Sequence, residues 1–292
     1  MIKSTLGLPR VSPPDELRRF TSLLGGAFAR LKRIPPFDPQ DLFFKAPFIA
    51  WEEVATWPSS SFLLLHGRTV APHNTPLSWT SQTTVAVVQH LQAENVMVAW
   101  HLCKPDDEYD NLVVSGDPTF TAAFALLSLG YRLLELTPIG RAALGNLTSE
   151  SATHFKALRD YARAAQEILA GYESAGRNAS LMDCSRAAMA FLRASITMVT
   201  QRNRVALPGS EKLAVIYLVV DRFDVLPLRD TAFLRPLMEL VQKPPVGAVV
   251  KVFVAGEKKM RDQKGGDGVA EFVEDCEGKT GWGVVDMDQG QK

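Results

Sequence analysis

The chain has 292 residues, 46% hydrophobic and 22% charged, an ordinary globular balance that can bury a substantial core in one large domain or two modest ones. Lys and Arg together number 32, as do Asp and Glu, so no global field draws the chain to nucleic acid or to an anionic membrane, and neither is expected as a partner. Cys103, Cys184 and Cys276 form no C-x-x-C pair, the N-terminus has no apolar signal core, and no run approaches roughly eighteen apolar residues, so the expectation is a cytoplasmic protein with free thiols.

Pro13-Pro14-Asp15 opens a helical pattern with apolar positions at Leu17, Phe20, Leu23, Leu24, Phe28 and Leu31; Gly25-Gly26 weakens it and Pro35-Pro36 ends it. The stretch 37–57 is rich in Phe, Trp and Pro, which suits an irregular segment anchored by aromatics. Residues 1–57 therefore form an N-terminal extension packed on the main domain, and the exposed aromatics of 37–57 are the surface expected to meet a protein partner.

The main domain spans 58–257. Phe62 to His66 is a short buried strand ending on Gly67. A long loop leads to a helix capped by Thr80 or Ser81, and Val96 to Cys103 is a second strand, giving a βαβ unit. Asp117-Pro118-Thr119 opens a long apolar helix, and two further helices are expected over 151–173 and 181–201. Leu213 to Val220 is an unbroken apolar run, as a strand buried on both faces requires, and it stops on Asp221. A helix over 229–242 and a buried strand over 246–254 complete the alternation β-α-β-ααα-β-α-β, which predicts a three-layer α/β domain with a mainly parallel sheet. Beyond Gly256 the chain turns Gly-rich and charged, so 258–292 is expected to be a mobile, disordered tail.

Three residue sets are candidates for chemistry. The first is strand, Gly67, loop and helix N-terminus at Ser81, an arrangement that cradles phosphate on free N–H groups, together with Asp221 and Asp224 after the central strand. A carboxylate at the C-terminal end of a buried parallel strand lies where open α/β sheets bind ligands, which makes Asp221 the candidate magnesium ligand. In this order of elements, and in LAVIYLVVDRFD followed by a helix and VVKVFVAGE, the chain resembles the NACHT-type signalling (STAND-class) P-loop NTPases, especially the divergent forms common in fungal proteins.

The resemblance implies a P-loop NTPase-like fold over 58–257, ATP or GTP with magnesium as the ligand, and Gly67, Arg68, Ser81, Asp221 and Asp224 as the binding set. It also implies an intracellular role coupling nucleotide state to assembly with other proteins. The chain departs from the family in its phosphate loop: between Gly67 and Ser81 there is no second Gly and no Lys, and Arg68 is the sole cation of the Lys/Arg type. The strand after the acidic motif ends Ala255-Gly256-Glu257 instead of Ser/Thr-Arg, and Val225 stands at the usual water-activating position. No catalytic residue is therefore assigned, and the expected function is a degenerate NACHT-like binding or regulatory module without efficient hydrolysis. The alternative is an unorthodox magnesium-dependent ATP or GTP switch using Arg68, Ser81, Asp221 and Asp224.

The second set is FLLLHG, which looks like the strand and His-Gly of an α/β-hydrolase oxyanion loop. Ser174 in GYESAG follows a helical stretch with its spacing one residue off, and all five histidines precede it, so the order Ser, acid, His is not met. The third is Gly278-Lys279-Thr280, a chance match with Val273 where the first Gly of a phosphate loop belongs. Cys103 is read as a small buried hydrophobe and not as a nucleophile.

Overall fold

The computed structural model describes residues 15, 17–22, 40–53, 59–67, 79–102, 122–136, 181–206, 213–221, 223, 233–257 and 268–286. In chain order their elements are α1 (Gln40–Phe43), α2 (Ala46–Glu52), β1 (Ser61–Gly67), α3 (Trp79–Ala93), β2 (Met97–His101), α4 (Ala122–Leu136), α5 (Leu181–Ala206), β3 (Ala214–Val220), α6 (Leu234–Gln242), β4 (Ala248–Glu257), α7 (Gly268–Cys276) and β5 (Trp282–Asp286). Residues 15 and 17–22 are also helical, with Leu17 and Phe20 buried.

The four apolar runs of the sequence become β1 to β4. Every pairing in the sheet is parallel, in the order β2-β3-β4-β1-β5, with β4 in the middle. Alternate residues of each strand face opposite layers, which is why runs apolar at both parities are needed. Phe62, Leu64, Ile216, Leu218, Val250, Val252 and Val254 pack with α4, α5, α6 and α7 in one layer. Leu63, Leu65, Val98, Trp100, Val219, Phe253 and Ala255 pack with α3, α2 and the helical residues 17–22 in the other.

The hand of the crossovers explains this division. From β1 the chain passes through α3 to the far edge strand β2, then returns through β3 and β4 and past β1 to β5. Reversing direction along a sheet while keeping right-handed crossovers forces the later helices onto the opposite face. A three-layer α/β fold with a parallel sheet is thus present as expected.

Two expectations need correction. The stretch 258–292 is not a mobile tail over its described part: 268–286 form α7 and β5, and β5 pairs with β1 from Phe62↔Trp282 to His66↔Asp286. Phe62, Phe272 and Trp282 meet with ring centroids 5.3 to 6.0 Å apart, and Cys276 is buried beside them. These few apolar residues are spread among Gly and charged positions, so they produce no periodic signal. At the entry to β5, Gly281 has φ 78°, and a Cβ there would lie 2.6 Å from the Ser60 carbonyl oxygen, so only glycine lets the strand join the sheet.

The second correction concerns 37–57. Its described part, 40–53, contains the short helices α1 and α2, and Leu42, Phe48 and Trp51 are buried against the sheet. Phe44 is the aromatic left outside, 80% exposed.

Candidate functional site

All strands being parallel, their C-terminal ends share one edge of the sheet. The direction of the chain reverses between β1, whose following helix lies in the α3 layer, and its neighbour β4, whose following helix α7 lies in the other. Ligand crevices of open α/β sheets form at such a reversal. Gly67 ends β1 at this edge, level with Glu257 of β4. Asp221 follows β3, two strand spacings or about 10 Å from β1.

The first turn of α3 closes on the same place. The helix begins at Trp79, so Ser81 lies within the first turn and does not cap it. Ser81 Oγ donates to Asp221 Oδ2 at 2.7 Å, and Thr84 Oγ1 lies 3.2 Å from Asp221 Oδ1 and 2.9 Å from the Thr80 carbonyl oxygen. The hydroxyl of Thr84 has one proton, so it shares that proton between the two acceptors, whereas Ser81 is committed to the carboxylate. The Asp221 backbone N–H donates to the His101 carbonyl oxygen at 2.9 Å, tying the strand end to β2. Asp221 is 0% exposed, and Thr80, Ser81, Thr83 and Thr84 are all buried. A buried carboxylate is tolerated when hydroxyls and a helix N-terminus face it, because these supply the dipoles that water would otherwise supply.

Magnesium suits this pair of oxygens. The ion binds oxygen at about 2.0–2.1 Å in an octahedron, which sets neighbouring ligands about 2.9 Å apart, close to the Ser81 to Asp221 separation. It also takes few protein ligands and leaves the remainder to water and phosphate. Both donors are oxygens, and no group of three or more His, Cys, Asp or Glu that could hold a metal ion occurs among the described residues.

Of the five expected binding residues, the structure joins Ser81 and Asp221 and puts Gly67 at the same edge; Arg68 and Asp224 lie outside the described residues. Thr84 was missed. Its signal is Ser81-x-x-Thr84, a spacing that stacks two hydroxyls on one helical face, in a segment, Thr80 to Thr84, unusually rich in hydroxyls for a buried helix.

With Ser81 taking the hydroxyl position of G-x-x-x-x-G-K-[ST], Trp79 falls at the second glycine and Thr80 at the lysine. Thr80 is neutral and fully buried. The separation from Gly67 to Ser81 is also twice that of the motif. By sequence, the stretch from Gly67 to Ser81 therefore differs from that motif in both length and charge.

At Ala255-Gly256-Glu257 the packing itself favours glycine. A Cβ on Gly256 would lie 2.3 Å from the Phe223 ring, so a side chain larger than hydrogen collides with the aromatic residue that follows Asp221 by two positions. Gly278-Lys279-Thr280 lies between α7 and β5, before the N-terminal end of a strand parallel to β1 and hence at the edge opposite the site. The hydrolase reading gains nothing: Ser174 and His154 lie outside the described residues, and the His101 ring meets Phe124 of α4 edge-on at 5.9 Å, on the face away from α3. Cys103 is also outside them, while the buried Cys276 thiol is pushed up by desolvation, which leaves it unreactive.

No family model matches the chain, and searches of curated proteins and of solved structures return no match.

Proposed function

We propose that this chain is a degenerate NACHT-like module with a P-loop NTPase-like fold, which binds magnesium with ATP or GTP as a regulatory component of a cytoplasmic protein assembly and does not hydrolyse the nucleotide efficiently. The observation that carries the reading is the hydrogen bond from Ser81 in the first turn of α3 to the buried Asp221 at the end of β3. Ser81 and Asp221 would hold the ion, which neutralises phosphate charge when bound. The first-turn N–H groups of α3 would face the phosphates. Asp221 is kept in place by Thr84 and by its own backbone bond to His101.

By sequence, two positions that the resemblance assigns to stabilising a transition state more than a ground state are altered. A neutral Thr80 replaces the cation that meets the β/γ phosphates, and Val225 cannot orient a water. Binding without turnover is what such a site supports.

The test is thermal unfolding of the full chain with magnesium and ATP or GTP, beside Asp221→Asn, with phosphate release followed in parallel. Nucleotide at a hundred times its Kd adds about 2.7 kcal/mol, a rise of a few degrees in Tm at this size. The rise is expected in the wild type with magnesium, lost in Asp221→Asn, and unaccompanied by phosphate release above buffer. Magnesium-dependent release that Asp221→Asn abolishes would instead establish the switch enzyme. A rise that survives Asp221→Asn would place binding elsewhere.

A further inference from the structure

The middle of the central strand carries a lysine. Lys251 of β4 is 1% exposed, and its register partners are Ser61 on β1 and Tyr217 on β3, so the three side chains form one row across three adjacent strands. All three reach the C-terminal end of α2. Lys251 Nζ donates to the Glu53 carbonyl oxygen at 3.3 Å, Tyr217 Oη to that of Glu52 at 3.2 Å, and Ser61 Oγ to that of Trp51 at 3.5 Å. The last carbonyls of a helix have no partner within it, and here consecutive ones are met by a row of donors with a cation at its centre.

The row is covered by a thin segment, since α1 has four residues and α2 seven. Its inner side is apolar through Leu42, Phe48 and Trp51; Trp51 packs on Tyr217 and Phe253 with centroids 5.3 and 5.8 Å apart. Its outer side leaves Phe44 and Ile49 exposed, 80% and 49%. A second attachment is to α3, where Glu52 pairs with His90 and the Phe43 ring lies 4.7 Å from that imidazole. Covering an ammonium with protein costs free energy that contact with one carbonyl and a nearby carboxylate does not fully restore.

We propose that α1–α2 is a displaceable strap: residues 40–53 lift from the sheet as one unit while the five strands stay folded, and the Ser61–Lys251–Tyr217 row sets how readily they do so. Opening releases the helix end, solvates the ammonium and exposes the apolar bed beneath Trp51 and Phe48. The inference stands independently of whether nucleotide binds.

Around Lys251 stand Glu53 at the end of α2, Tyr217 on β3 and Ser61 on β1; Tyr217 in turn meets Glu52, which pairs with His90 of α3. Burial lowers the Lys251 pKa from 10.5 to about 8, and the Glu53 carboxylate opposes that shift. A base whose pKa is depressed in the closed state binds its proton more tightly once the strap opens, so acid favours opening and the strap tightens as pH rises from about 8 towards 10.5. Tyr217, raised to about 12 by burial, acts only above about 10 in the opposite sense.

Native-state hydrogen exchange on the full chain, corrected for intrinsic rates, tests this. In the wild type, peptides from 40–53 are expected to exchange through an opening far more frequent than that of β3 and β4, and its equilibrium constant should fall several-fold between pH 7 and 8.5. Lys251→Met should raise protection of 40–53 several-fold at pH 7 and abolish the pH dependence. Tyr217→Phe should lower that protection with the strands unchanged. Acetylation of the Lys251 amine by acetic anhydride should follow the same opening and be faster in Tyr217→Phe. Exchange of 40–53 at the rate of the core strands in all three proteins overturns the proposal, as does protection that Lys251→Met leaves unaltered.

Discussion

A carboxyl group without solvent contact must find its hydrogen bonds within the protein, and Ser81 and Thr84 are among the donors that Asp221 meets. Removing the committed donor leaves a buried oxygen without that hydrogen bond, a loss worth about 1–3 kcal/mol. Ser81→Ala is expected to fall in that range in urea unfolding, Ser81→Thr to stay near wild type because it keeps the hydroxyl, and Thr84→Val to cost less because that proton is shared. The order matters more than the values: if Thr84→Val costs more than Ser81→Ala, the carboxylate is held chiefly by Thr84.

Among the described glycines, the closest fit is that of Gly256 in β4 against Phe223, three residues after β3. Gly256 leaves room for the Phe223 ring, and a branched side chain there must displace it. Overpacking of this kind costs about 1–3 kcal/mol, so Gly256→Val should destabilise by that amount. The doubly substituted Gly256→Val/Phe223→Ala should be less impaired than the sum of its parts, since the deleted ring vacates the space. A double-mutant cycle in urea reads the coupling directly.

These elements also show what was legible in the sequence. β1 to β4 announced themselves because a parallel strand buried on both faces must be apolar at consecutive positions. That Ser81 and Asp221 lie at one edge of the sheet followed from the layout, since a helix starting after β1 and a strand ending in Asp share that edge; the hydrogen bond between them did not. Thr84 did not, because a hydroxyl within a helix reads as neutral whichever way it points. β5 is five residues containing a glycine, and nothing local distinguishes WGVVD from a turn-rich tail until β1 offers it an edge. α2 was hidden by its composition, since a Pro at its start and a cluster of Phe and Trp suit an irregular segment equally well.

For the molecule as a whole, the sheet depends on its last strand. Ending the chain at residue 260 would remove α7 and β5, uncover one edge of β1, and expose Phe62 where Phe272 and Trp282 now cover it. Each large apolar side chain no longer buried forfeits about 1.5–3 kcal/mol, so losing the buried Phe272 and Val285 together with the half-buried Trp282 removes a large part of the stability of an ordinary domain. Such a shortened chain is expected to melt without a cooperative transition and to aggregate through its open edge, as scanning calorimetry and light scattering would show. A cooperative melt near that of the full chain would mean that β5 is dispensable.

The strand order has a consequence in time as well. Among the described strands β1 is made first, yet both of its neighbours, β4 and β5, are made last. At roughly 5–20 residues per second, the interval between making Ser61 and making its partner Lys251 is on the order of 10–40 seconds, long compared with the collapse of a chain this size. Throughout that interval Phe62 to Leu65 lack both of their sheet partners, so a period of exposure to mispairing during synthesis is built into the order of the strands.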